Sequence, residues 1–200
     1  MRISIILLVG LSAIGLAAPA SAKENARFTG PRIEVNTGYE STHYDDGIAA
    51  TPNTLGGLRI GGAVGYDMPL GKMFTIGVEA GGGYSVSGRN DGQLATTSYR
   101  LTGGYDLDAS VRLGARVAPN TLLYGKLGYA RSEFRLRTTI GGTAGNSVST
   151  FSDDQDGWRI GAGVEQAFGD HFYAKAEYRY TDYGSDVTRH QALVGLGYRF

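Results

Sequence analysis

Apolar and polar residues alternate with a period of two in run after run along this chain. Successive side chains of an extended strand point to opposite faces, so each run predicts a strand with one apolar and one polar face. The first run sets Ile33, Val35, Thr37 and Tyr39 against Glu34, Asn36 and Glu40. The second sets Leu58, Ile60, Val64 and Tyr66 against Arg59, Ala63 and Asp67, and the third Phe74, Ile76, Val78, Ala80 and Tyr84 against Thr75 and Glu79. The fourth holds its phase from Tyr99 to Val117, with Leu107, Val111 and Leu113 opposed to Asp106, Asp108, Ser110, Arg112 and Arg116. In the fifth, Leu123, Leu127 and Tyr129 oppose Lys126. Its phase slips near Ala130 and resumes at Phe134 and Leu136, as a β-bulge would cause. Trp158, Ile160, Ala162, Val164 and Phe168 face away from Arg159 and Glu165 in the sixth. The seventh opposes Phe172, Ala174, Ala176, Tyr178 and Tyr180 to Lys175, Glu177 and Arg179. The last opposes Ala192, Val194, Leu196, Tyr198 and Phe200 to Gln191 and Arg199.

These eight runs make an even number of strands, as a closed antiparallel bacterial barrel requires. The segments between them alternate in length. Short ones fall near Asp67–Lys72, Ala118–Thr121 and Gly169–His171; long polar ones cover Ser41–Gly57, Ser87–Ser98, Thr138–Gly157 and Tyr183–Arg189. Short periplasmic turns and longer external loops are the arrangement of an outer-membrane barrel. The same arrangement sorts the aromatic residues into two girdles. Tyr66, Phe74, Phe168, Phe172, Tyr198 and Phe200 fall at the periplasmic rim, and Tyr39, Tyr84, Tyr99, Trp158 and Tyr180 toward the outer rim. A soluble barrel would turn the same apolar faces inward. The girdles, the loop asymmetry and the terminal phenylalanine favour lipid on the outside.

Composition and the leading segment add export. Arg2 precedes an uncharged, mostly apolar run, Ile3–Ala18, and Ala20-Ser21-Ala22 supplies a small-x-small cleavage pattern before Lys23. Residues 1–22 are therefore expected to be a cleavable signal peptide, and 23–200 one outer-membrane barrel domain. Glycine contributes 32 of 200 residues, without the three-residue period of collagen. The absence of cysteine excludes disulfides, thiolate nucleophiles and cysteine zinc sites. Lys plus Arg equals Asp plus Glu at 19 each, so no basic excess points to nucleic acid.

Three stretches carry a family resemblance: Leu122-Leu123-Tyr124-Gly125-Lys126-Leu127-Gly128-Tyr129, Gly157-Trp158-Arg159-Ile160-Gly161-Ala162-Gly163-Val164-Glu165, and Val194-Gly195-Leu196-Gly197-Tyr198-Arg199-Phe200. With their order along the chain, they resemble the small OmpA/OmpX-like outer-membrane β-barrel family, also called porin-family proteins. The resemblance implies an all-β, eight-stranded, antiparallel, up-and-down transmembrane barrel in the cell outer membrane of a Gram-negative bacterium. It also implies that Val194, Leu196, Tyr198 and Phe200 form the C-terminal signal read by the barrel assembly machinery, with periplasmic chaperones as partners during biogenesis.

An eight-stranded barrel is just wide enough for side chains to fill it. The inward positions predict a lumen ion network of Glu34, Arg59, Glu79, Arg112, Arg116, Lys126, Arg159, Glu165, Lys175, Glu177, Arg179 and Arg199. Inward glycines, among them Gly61, Gly65, Gly77, Gly161, Gly163, Gly195 and Gly197, leave room for those long side chains. Counting residues from the rims predicts that Glu79 meets Arg112 and that Glu34 meets Arg199. Paired carboxylates also serve acid/base catalysis, but a polar, filled lumen accounts for this pattern without it.

Other chemistry is sparse. His43 and His190 fall near the outer end, with Asp45 and Asp46 close in sequence, yet a metal site needs a fuller ligand set. Gln191, Ala192 and Leu193 follow His190, so no serine stands at short spacing for a lipid-cleaving esterase. The run Ser152–Gly157 is acidic, but an EF-hand loop counted from Ser152 would place glycine, Gly163, where the bidentate glutamate belongs. Gly161–Gln166 sits in a strand and lacks the last glycine of a dinucleotide fingerprint.

The expectation is a non-enzymatic barrel with no cofactor and no metal. It stabilises the envelope and presents its loops to lipopolysaccharide or an external ligand, with outer-membrane lipid around it. A small-solute porin is the alternative, and a lipid A-modifying enzyme the third reading.

Overall fold

The computed structural model describes residues 26–44, 54–86, 89–94, 97–142, 145–184 and 187–200, with the backbone path alone over most of 89–103 and 134–153. After a 3-10 turn at Ala26–Phe28 come nine strands: β1 (Gly30–Tyr44), β2 (Thr54–Leu70), β3 (Phe74–Ser85), β4 (Arg89–Leu94), β5 (Thr97–Ala118), β6 (Thr121–Gly142), β7 (Gly145–Phe168), β8 (Phe172–Asp182) and β9 (Val187–Arg199). Every pairing is antiparallel. The order β3-β2-β1-β9-β8-β7-β6-β5 closes on itself through β3–β5, which makes an eight-stranded up-and-down barrel. The short β4 lies outside that ring and pairs with β5.

The alternation becomes a wall with two sides. Along β3 and β9 exposed and buried residues alternate almost without interruption. The buried side is polar and the exposed side apolar, the reverse of a soluble protein. Val78 and Val111 face each other across β3–β5 and are 59% and 53% exposed, although neither would be left to water. Exposed Phe74, Phe168, Phe172 and Phe200 mark one end of the band, and exposed Tyr39, Tyr84, Tyr129, Trp158 and Tyr178 the other. Lipid must cover this face.

The three periplasmic turns fall where the sequence places them. Gly71 and Gly169 take positive φ values of 71° and 66° there, a conformation side chains other than glycine resist. The outer end differs from expectation. Segments 89–94 and 97–102 form a β4–β5 ladder, and the β6–β7 ladder runs on to Gly142↔Gly145. Much of the second and third external connections is therefore strand, not loop. Above the membrane neither face need be apolar, so the polar stretches Ser87–Ser98 and Thr138–Gly157 carry no alternation that marks a strand.

The bulge also moves. In β6 the alternation of buried and exposed side chains continues through Ala130 to Ser132. The ladder breaks instead between Gly103 and Asp106 of β5, opposite Glu133, so the extra residue belongs to the neighbouring strand. A Cβ on Gly104 would lie 2.8 Å from the Glu133 carbonyl oxygen, and only glycine fits the approach. Phe134 and Leu136 have side chains outside those described.

Candidate functional site: a charged lumen

The inward faces of all eight barrel strands converge on one continuous ion network. At the periplasmic end, one oxygen of Asp67 accepts from three guanidinium groups: Arg32 Nε at 2.9 Å, Arg199 Nη1 at 3.0 Å and Arg112 Nη1 at 3.3 Å. Glu165 accepts from Arg112 at 2.5 Å and Arg199 at 2.7 Å. Arg112 also stacks over the Tyr124 ring, 3.8 Å from its centroid.

The middle layer follows. Glu79 binds Lys126 at 2.6 Å and Arg32 at 2.7 Å. Lys175 stands 2.5 Å from Glu34 and 3.0 Å from Glu177. Glu177 is further held by Lys126 at 2.8 Å, by Arg179 and by the Tyr124 hydroxyl at 2.6 Å. Nearer the outer end, Asp108 pairs with Arg159 at 2.8 Å, and Asp106 with Arg159 at 2.9 Å and Arg59 at 2.7 Å. Above this, Glu40 accepts from Gln191 at 3.0 Å and from Ser85. Arg189 donates to Thr42 and Ser132.

Burial explains this degree of pairing. Each of these charges is nearly excluded from solvent, and an unpaired charge there costs several kcal/mol. Glycine gives the space. A Cβ on Gly65 would lie 2.8 Å from the Arg32 guanidinium, and one on Gly163 2.6 Å from the Tyr124 hydroxyl.

Eleven of the expected network residues are inside: Glu34, Arg59, Glu79, Arg112, Lys126, Arg159, Glu165, Lys175, Glu177, Arg179 and Arg199. Arg116 is not. It lies opposite inward-facing Leu122 but at the periplasmic rim, where it is only partly buried and its Nη2 donates to the Lys72 carbonyl at 2.8 Å. The two expected pairs also do not form. Arg112 lies opposite Gly77 and Glu79 opposite Ser110, while Arg199 lies opposite Arg32 and Glu34 opposite Gly197. Both registers are staggered by two residues from a count that starts level at the rims. Such stagger is what closes tilted strands into a barrel.

Arg32, Asp67, Asp106 and Asp108 are members that reading the sequence left out of the network. Arg32 precedes the first apolar residue of its run, but it continues the polar phase of Glu34 and Asn36, which was the available signal. Tyr124 and Tyr173 point inward among the charges, against the general rule that aromatics face out here.

The remaining candidates separate. His43 contacts Thr54 at 3.3 Å, whereas His190 contacts the Tyr178 hydroxyl at 2.6 Å. Asp45 and Asp46 lie outside the described residues. Among the described residues, no three His, Asp or Glu side chains gather as metal ligands would. The acidic run is strand, and Arg131 of β6 answers it, 2.5 Å from Asp154 and 4.0 Å from Asp156. Val194, Leu196 and Tyr198 share the outer face of β9 and Phe200 follows just past its end, with Tyr198 packed edge-on against both Phe172 and Phe200.

A closed barrel with a charged interior, an apolar exterior and two aromatic girdles is an integral outer-membrane protein. Residues 6–200 match the outer membrane protein beta-barrel domain, and the chain belongs to that family. It is 26% identical over 214 aligned residues to the 31 kDa outer-membrane immunogenic protein of Brucella melitensis, covering 92% of this chain and 89% of the relative. It is 30% identical over 156 residues to the 25 kDa outer-membrane immunogenic protein of Brucella ovis, covering 76% and 70%. Among solved structures, Neisserial surface protein A superposes with a TM-score of 0.53 at 16% identity, over 86% of this chain and 98% of that one. Ail, the attachment invasion locus protein of Yersinia pestis, gives 0.52 at 16% identity, over 86% and 99%.

Proposed function

We propose that this protein is a structural and surface-interaction barrel, without enzymatic activity and closed to bulk solute. In this reading its partner surface is the sheet raised above the outer girdle. The observation that carries it is the continuation of β6 and β7 beyond Tyr129 and Trp158 to Gly142 and Gly145, on the order of 40 Å along the strand at ~3.3 Å per residue. β8 meets β7 no farther out than Trp158↔Asp182, so the outer half of β7 has a ladder on its β6 side only, among the described residues. Residues Gly145–Phe151 contain neither lysine nor proline, the residues that commonly block strand addition. An extended segment of an external protein adds to such an edge through main-chain hydrogen bonds. That Brucella relatives are outer-membrane immunogenic proteins agrees with a surface role.

The signal peptide over residues 1–22, the C-terminal assembly signal, and the chaperones and assembly machinery it engages belong to the same proposal. Lipopolysaccharide is the lipid partner expected at the outer rim.

The test replaces residues 134–153 by a short turn in cells lacking the native protein. The shortened barrel should still insert, judged by its heat-modifiable gel mobility, while adhesion to cell monolayers falls. Equal adhesion with and without the hairpin overturns the interaction reading. Conductance of the refolded full-length chain tests the closed lumen separately, and large steady currents would favour the porin.

A further inference from the structure

The lumen is mainly polar along its length, and at the periplasmic mouth it carries an apolar cluster. There Phe28, 2% exposed, packs with Leu122 and Ala167 in the apolar cluster of the interior. We propose that Phe28 is a cork, carried by the segment before β1, that seals the periplasmic mouth against water and ions. This rests on the reading of the barrel as closed, and it identifies which end is sealed and by what.

The backbone is built to deliver that side chain inward. Gly30 has φ +102°, a left-handed conformation that turns the chain off the barrel wall. A Cβ there would also stand 2.9 Å from the Phe200 carbonyl oxygen. The 3-10 turn Ala26–Phe28 then crosses the mouth. In the ring of strands β6 stands four places from β1, the farthest point of an eight-membered circle, so the cluster joins Phe28 to Leu122 of the opposite wall. Arg27 fixes the far end. It donates to the Asn120 side chain in the β5–β6 turn and lies 3.9 Å from Asp170 in the β7–β8 turn.

Next inward is the layer of Arg32, Asp67, Arg112, Glu165 and Arg199. Ion pairs of this kind are strong only where water is kept away. A strap crossing the mouth keeps it away from one end.

The chain has no cysteine, so Thr75→Cys supplies a unique label. Thr75 is buried on the inner face of β3 and, with Leu122, lines the space around Gly114. The measurement is the rate at which this thiol reacts with a small charged methanethiosulfonate in the refolded full chain. With Phe28 in place the reaction should be slow. Phe28→Ala should speed it by about tenfold or more, as local opening does, and Gly30→Ala should do the same while leaving Phe28 in the chain. Phe28→Leu, which keeps an apolar body, should retain most of the protection. Heat-modifiable mobility shows that each variant is folded. If the thiol stays equally protected in Phe28→Ala and Gly30→Ala, the cork is overturned and the closed lumen stands. If it reacts in the Phe28-containing protein as fast as a free thiol, the closed lumen itself fails.

Discussion

Arg112 on β5 reaches across the inner face of β6 to Glu165 on β7, and the two side chains meet at 2.5 Å. They are 53 residues apart in sequence, and their strands share no ladder. Arg199 of β9 holds the other carboxylate oxygen at 2.7 Å, so one glutamate ties together strands from different parts of the circumference. Contacts across the lumen, rather than along the wall, organise this interior.

Removing one partner of such a contact leaves a buried charge. Glu165→Ala should lower the stability of the refolded barrel by about 3–5 kcal/mol, with two arginines left facing an empty place. In urea unfolding, a double-mutant cycle of Arg112→Ala with Glu165→Ala should show coupling of about 0.5–3 kcal/mol. The cycle of Glu79→Ala with Arg112→Ala should show less, because that pair has no direct contact and communicates through intermediaries such as Arg32 and Asp67. Equal coupling in the two cycles would contradict the observed partners.

The lipid-facing assignment is tested at its centre. Val78→Arg or Val111→Arg should cost roughly 2–4 kcal/mol of stability in lipid, whereas Val117→Arg at the periplasmic rim should cost about 0–1. Unfolding from vesicles provides the numbers. Comparable effects at all three positions would remove the hydrocarbon band from this face.

Space in the lumen is as specific as charge. A Cβ on Gly197 would enter the Tyr173 ring, whose hydroxyl donates to Glu34 at 3.1 Å. Gly197→Ala should therefore destabilise by about 1–3 kcal/mol, the usual cost of overpacking. Surface Gly125→Ala, with only one distant neighbour at 3.9 Å, should be nearly silent in the same assay.

The terminal residue separates assembly from stability. Phe200 is exposed to lipid, and its backbone N–H donates to the Pro31 carbonyl at 3.0 Å. Phe200→Ala keeps that hydrogen bond and removes the aromatic ring. Outer-membrane levels in cells should fall, while refolding of the purified chain into detergent changes little. Normal levels in cells would withdraw the assembly role from this residue.

Much of this architecture is local in origin and is legible in the sequence. The alternation of Val78 with Glu79, or of Leu196 with Arg199's face, assigns each residue to lipid or lumen because the period of a strand is fixed at two. Strand number, the closed barrel, the girdles and nearly all inward charges follow from that single rule. Partners do not follow. Whether Glu79 meets Arg112 or Lys126 depends on how far neighbouring strands slide when the sheet closes, and that stagger belongs to the whole ring. A slide of two residues preserves every face and exchanges every partner. The same holds for Phe28, which joins Leu122 only once the opposite wall exists. The sequence by itself determined which way each side chain points; closure of the barrel decided what it touches.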